Sequence, residues 1–136
     1  MYKTILIPLA LEHEGGWAPA IAAAKCLRDP DGRVELLHVI DEVPGFIAAE
    51  LPPGILERSR SEAEAALKRV ADASGLSPKA TVLSGHPSRT ILDHAEAIGA
   101  DCIVIISHRP GLEDYFLGST AARVVRHAPC SVHVIR

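Results

Sequence analysis

The chain has 136 residues, with 14 Lys and Arg against 17 Asp and Glu and a formal net charge of -3 when its histidines are neutral. Its 48% hydrophobic content is that of an ordinary globular chain, and its length suits a single domain, 1–136, that buries a core without metal or disulfide staples. The charge balance leaves no basic footprint for nucleic acid, no apolar run approaches the roughly 18–20 residues of a membrane span, and the opening "MYKTILIPLA" is too short and wrongly flanked for a signal peptide, so a cytoplasmic location is expected.

"YKTILIPLA" (residues 2–10) is a short apolar run of β type that stops near Pro8. Residues 16–28 follow with Ala20, Ile21, Ala24 and Leu27 at helical spacing. "DPDG" (29–32) has turn chemistry, and "RVELLHVI" (33–40) reads as a second strand. Residues 41–54 hold three prolines and two glycines and read as a long loop. The strongest helical pattern is 55–75, with Leu56, Ala63, Leu67 and Val70 as its apolar stripe and Gly75 as its stop. "KATVLSG" (79–85) is a third strand, and 86–100 a helix with Pro87 in its first turn and Gly99 near its end. "DCIVIIS" (101–107) is apolar on both faces and therefore central. A loop over 108–118, a short helix over 119–128 and a last strand, 130–136, complete the chain.

Strands alternating with helices imply an α/β fold, a parallel sheet with helices on both faces. Ligands of such sheets sit beyond the carboxyl ends of the strands, where strand order switches. That edge carries Pro8–Ala10, Val39–Asp41, Gly85–Pro87 and Ser107–Arg109, together with the loop leading to Gly118. Asp101 and Cys130 start their strands and belong to the opposite edge. The three cysteines, Cys26, Cys102 and Cys130, lack metal-ligand spacing and read as small buried thiols.

Gly118, Ser119 and Thr120 stand where a loop enters a helix. The first N–H groups of a helix lack internal acceptors and carry the positive end of its dipole, so a phosphate can bind there. The competing reading is an ordinary helix cap, since Ser and Thr favour that position in any protein. No G-x-x-x-x-G-K-[ST] is present, and no G-x-G-x-x-G follows the first strand. A receiver domain would need acids where this chain has Pro8, Leu9 and Ala10.

The chain resembles the universal stress protein family from end to end. The resemblance rests on "ILIP" (5–8), "LLHVIDE" (36–42), "GHPSRTIL" (85–92), "ADCIVIISH" (100–108) and "LGSTAARVVRHAPCSVHVIR" (117–136). Nucleotide-binding members carry a glycine signature of the form G-x-x-G, nine residues, then G-[ST]. Here Gly118–Ser119 supply the final pair, Ile106 stands at the first glycine, and the second is absent, so that Arg109 and Pro110 follow His108 directly. The "SHRP…LGS" form is similar to the F/G-type branch, whose shortened loop is compatible with ATP.

The resemblance implies a five-stranded sheet of order 3-2-1-4-5 and an adenine nucleotide, ATP or else AMP or ADP, with or without Mg2+. Val39 would meet adenine through its backbone and Pro8 would line the pocket. Ile106, Ser107, His108 and Arg109 would border ribose and phosphates, and Gly118, Ser119 and Thr120 would hold the phosphates. Ala10 replaces the Asp that the family usually places there, removing a polar contact of about 1–2 kcal/mol.

Arg109 offers a guanidinium to phosphate or is a solvated surface residue. His108 is a phosphate or ribose contact rather than a catalytic base. His38 reads as a packed, hydrogen-bonded histidine, and Asp41 and Glu42 as solvated acids that could hold Mg2+ through water. His133 faces away from Val132 and Val134. The strand Ser131–Ile135 would be an exposed apolar edge in a monomer. In the family it pairs with its own copy, which implies a homodimer. The resulting expectation is a stress-response binding and signalling module with an unknown protein partner. The alternatives are a dimeric interaction protein whose nucleotide site has decayed and a slow hydrolysis or self-phosphorylation at Ser119, for which no general base is evident.

Overall fold

The computed structural model describes residues 1–11, 16–107 and 117–136 of the chain. Five apolar runs become strands: β1 (Tyr2–Pro8), β2 (Arg28–Asp41), β3 (Lys79–Gly85), β4 (Cys102–Ile106) and β5 (Ser131–Ile135). All pair in parallel, in the order β3-β2-β1-β4-β5. The chain builds outward from β1 to β3, then crosses to β4 and β5 on the other side. The switch point therefore lies between β1 and β4, where the expected ligand crevice belongs.

Side chains alternate across a strand, which splits consecutive residues between two cores. Ile5, Ile7, Leu36, Val82 and Val104 face helices α1 (Ala18–Leu27) and α3 (Ile55–Ser74), meeting Ala20, Ile21, Ala24, Leu67 and Val70. Leu6, Leu37, Ile103 and Ile105 face α4 (Pro87–Ile98) and α5 (Ser119–His127), meeting Ile91, Ala95, Ala121 and Val124. This double burial is why β1 and β4 read as unbroken apolar runs. Gly75 and Gly99 end α3 and α4 in the left-handed conformation, with φ of 73° and 67°.

Four local readings are corrected. The turn chemistry of Asp29–Gly32 is absorbed into β2 as an irregularity, because Tyr2 pairs with Arg28 but Thr4 with Arg33. Three extra residues bulge there. A Cβ on Gly32 would stand 2.7 Å from the Tyr2 carbonyl oxygen, so the bulge admits only glycine without a backbone shift. The proline-rich stretch 41–54 contains one helical turn, α2 (Gly45–Ala48). Leu56 lies on the exposed first turn of α3, not in the stripe formed by Ala63, Leu67 and Val70. Cys26 is exposed, whereas Cys102 is buried and Cys130 half-buried. Burial, with Cys130 and Asp101 nearby, pushes the Cys102 thiol up to about 11, so it is protonated at neutral pH.

The amino ends of the strands are held by polar groups. The Asp101 carboxylate accepts from the Lys3 and Thr4 N–H groups at 2.9 and 3.0 Å, and the Asp101 N–H donates to the Thr4 carbonyl at 3.0 Å. Burial pulls this carboxyl upward, but the backbone donors outweigh it and hold it below the ordinary value. Asp101→Ala should therefore cost about 1 kcal/mol in urea unfolding near neutral pH, allowing for the group's partial exposure. A depressed folded value means that this contribution is complete above about pH 4 and fades as pH falls through the lower folded value. The gap between wild type and variant should narrow in acid and hold constant from pH 5 to 8.

Candidate functional site

At the carboxyl edge, Pro8 closes β1 and is buried, and the Leu9 N–H donates to the Leu37 carbonyl at 2.8 Å. His38 Nδ1 pairs with the Leu9 carbonyl at 2.7 Å. The acceptor is a carbonyl, so Nδ1 carries the proton, and the packed, hydrogen-bonded histidine expected at this position is what the structure shows. Ala10 is exposed just beyond it. On β2, Val39 is half-buried, with Leu83 of β3 as its register partner. Asp41 and Glu42 are exposed, and among the described residues no group of three His, Cys, Asp or Glu side chains is placed to hold a metal ion.

Across the switch point, Ile106 ends β4 and is half-buried. Ser107 is buried, its N–H donating to the Ile135 carbonyl at 2.8 Å. Its hydroxyl accepts from the Gly118 N–H at 3.0 Å. That bond ties the start of α5 to the residue that follows β4. His108 and Arg109 lie outside the described residues.

Gly118 is the N-cap of α5, with φ of -58° and ψ of 153°, and no side chain caps the helix. Ser119 and Thr120 are thus its first two helical residues and not its caps. The cap reading fails here because Ser and Thr act as caps only from the flanking, non-helical position. The first N–H to find a helical acceptor is that of Ala122, which donates to the Gly118 carbonyl at 2.9 Å. Among the described residues, the N–H groups of Ser119, Thr120 and Ala121 have no acceptor. They sit at the positive end of a nine-residue helix whose last turn carries Arg126 and His127. The Ser119 side chain is exposed and Thr120 half-buried. Beside this turn, Arg123 Nη1 donates to His86 Nε2 at 3.2 Å, and His86 Nδ1 lies 3.2 Å from Ser88 Oγ. The sequence placed His86 on the ligand edge within Gly85–Pro87 without giving it a role, and did not single out Arg123. The signal available was the spacing of Arg123 from Ser119 and Thr120.

The family model of the universal stress protein family matches residues 1–136. The chain belongs to the universal stress protein family. Universal stress protein G of Escherichia coli O157:H7 is 32% identical over 145 residues, with the whole of both chains covered. Among solved structures, the hypothetical protein MJ0577 superposes with a TM-score of 0.73 at 29% identity, covering 99% of this chain and 96% of the other. A universal stress protein family member from Arabidopsis thaliana, solved with AMP bound, shares the fold with a TM-score of 0.61 at 18% identity, covering 98% of this chain and 90% of that one. The five-stranded α/β fold and the strand order implied by the resemblance are those of this family. Among the described residues, no helix is long and apolar enough to cross a membrane.

Proposed function

We propose that this universal stress protein binds an adenine nucleotide, ATP or else AMP or ADP, at the carboxyl edge between β1 and β4. The observation that carries the reading is the first turn of α5, whose three backbone donors have no acceptor among the described residues and follow a glycine N-cap at the topological switch point. The Val39 backbone takes the adenine and Pro8 lines the pocket. Ile106 and Ser107 border the ribose, with His108 and Arg109 following them in sequence. Gly118, Ser119 and Thr120 hold the phosphates, and any Mg2+ arrives on the phosphates. The AMP held by the Arabidopsis relative supports the ligand class for the fold.

The proposal extends to a cytoplasmic homodimer of one domain, 1–136, acting in stress response and signalling by binding, not catalysis. β3 and β5 are the outer strands of the sheet. The β3 edge is guarded, because Arg60 Nη2 reaches from α3 to the Val82 carbonyl at 2.8 Å. β5 leaves Val132, Val134 and Ile135 only half-buried, which suits pairing with a second copy. A second reading, a dimer with a decayed site, is favoured by Ala10, an exposed methyl at the crevice where a polar contact would serve adenosine.

Denaturing the purified protein and chromatographing the supernatant tests the first reading against the second. Nucleotide binding predicts a released adenine compound in amounts that track the protein. A clean supernatant supports the decayed site.

A further inference from the structure

We propose that Arg123 grips the distal phosphates of the bound nucleotide, resting on His86 until they arrive. The inference rests on the nucleotide reading and assigns a residue that the reading does not contain. Arg123 follows Ser119 by four positions and Thr120 by three, so all three share one face of α5. Helical side chains lean toward the helix N-terminus, which carries the guanidinium back over the free first turn. The direction is set on the other side by His86, the N-cap of α4, which follows the last residue of β3 at the same carboxyl edge. The guanidinium therefore hangs between the start of α5 and the start of α4, at the carboxyl edge of the sheet.

The pairing itself is incomplete. Arg123 donates one N–H to His86 Nε2, and no carboxylate pairs with it among the described residues. An imidazole that accepts at Nε2 is neutral and carries its proton on Nδ1, which then donates to Ser88 Oγ. Arg123 thus pairs an obligatory cation with a neutral, single-point acceptor. A guanidinium has five donors in a planar fork, and phosphate oxygens match that fork with two charge-assisted bonds. Phosphate is the better acceptor on both counts. Both side chains are exposed, so exchanging one acceptor for the other disturbs no core packing.

Titration calorimetry with adenosine, AMP and ATP on wild type, Arg123→Gln and Arg123→Lys tests this. Loss of a charge-assisted contact predicts that Arg123→Gln weakens ATP by about tenfold while adenosine stays within about twofold. Arg123→Lys should keep part of the ATP affinity because it keeps the charge. Unchanged ATP affinity in Arg123→Gln, or equal losses for ATP and adenosine, overturns the assignment and leaves Arg123 as a tie between α4 and α5. If wild type binds adenosine and ATP equally, the distal phosphates have no grip and the assignment fails while the nucleotide reading stands. If wild type binds no adenine compound, both fall together.

Discussion

Gly118→Val is expected to weaken adenine-nucleotide binding at least about tenfold while moving the unfolding free energy by less than about 1 kcal/mol. The two halves of this result come from one observation. The backbone of Gly118, at φ -58° and ψ 153°, is a conformation that any residue adopts. A Cβ built there meets the Ser107 carbonyl oxygen at 3.7 Å, an ordinary contact. Nothing among the described residues demands a glycine for the fold. At Gly32, by contrast, the same atom would be driven into the Tyr2 carbonyl. What a side chain at Gly118 obstructs is the approach of a phosphate to the free N–H groups of Ser119, Thr120 and Ala121. Calorimetry and urea unfolding on the same preparation separate the two effects. Intact affinity in a folded Gly118→Val protein would remove the close backbone approach from the account.

The largest stability effect is expected far from the crevice, at Glu35. This carboxylate is only 3% exposed. It faces His94 Nε2 at 3.3 Å and Arg33 Nη1 at 3.7 Å. Arg33 in turn donates to Thr4 Oγ1 at 3.2 Å and to the Ile98 carbonyl at 2.6 Å. One polar group thus joins β2, the start of β1 and the last turn of α4. Glu35→Ala removes a buried side chain together with the hydrogen-bond partner of His94 and the ion partner of Arg33, so it should cost about 3 kcal/mol. In urea the midpoint should fall with little change of slope, because the surface exposed on unfolding is nearly the same. Replacing the pair together, Glu35→Met with His94→Leu, should recover most of the loss, since an apolar pair of similar volume needs no hydrogen-bond partner. A loss below 1 kcal/mol in Glu35→Ala would show that the cluster is solvated and contributes little.

The elements that could be read from the residues were those whose cause is local. Gly75 and Gly99 end their helices because left-handed backbone is cheap only for glycine, and that is visible in the chain itself. The apolar runs of β1 and β4 announce burial on both faces. Strand order is not local, since no periodicity says which strand crosses to the far side of β1, and it was read from the family resemblance. The "DPDG" turn failed because a strand can absorb turn chemistry as a bulge when its neighbour pairs on both sides of it. Leu56 failed because the packing of α3 starts later along the helix than its hydrophobic pattern does.

The site divides in the same way. Gly118, Ser119 and Thr120 were legible as a loop entering a helix. The helix start at Ser119 was legible too; that no side chain caps it depends on backbone geometry. The hydrogen bond from the Gly118 N–H to Ser107 and the pairing of Arg123 with His86 join residues 11 and 37 positions apart. Only the folded sheet edge brings them together.

The most direct measurement of the central claim is a calorimetric titration of ATP and Mg2+ into the wild-type protein. The account predicts saturable binding with a dissociation constant at or below the low millimolar range, near about -4 kcal/mol or tighter. No heat at millimolar ATP, from protein that also releases no nucleotide on denaturation, would contradict it. The free turn of α5 would then be the residue of a lost site, and the exposed edge of β5 the surface to pursue.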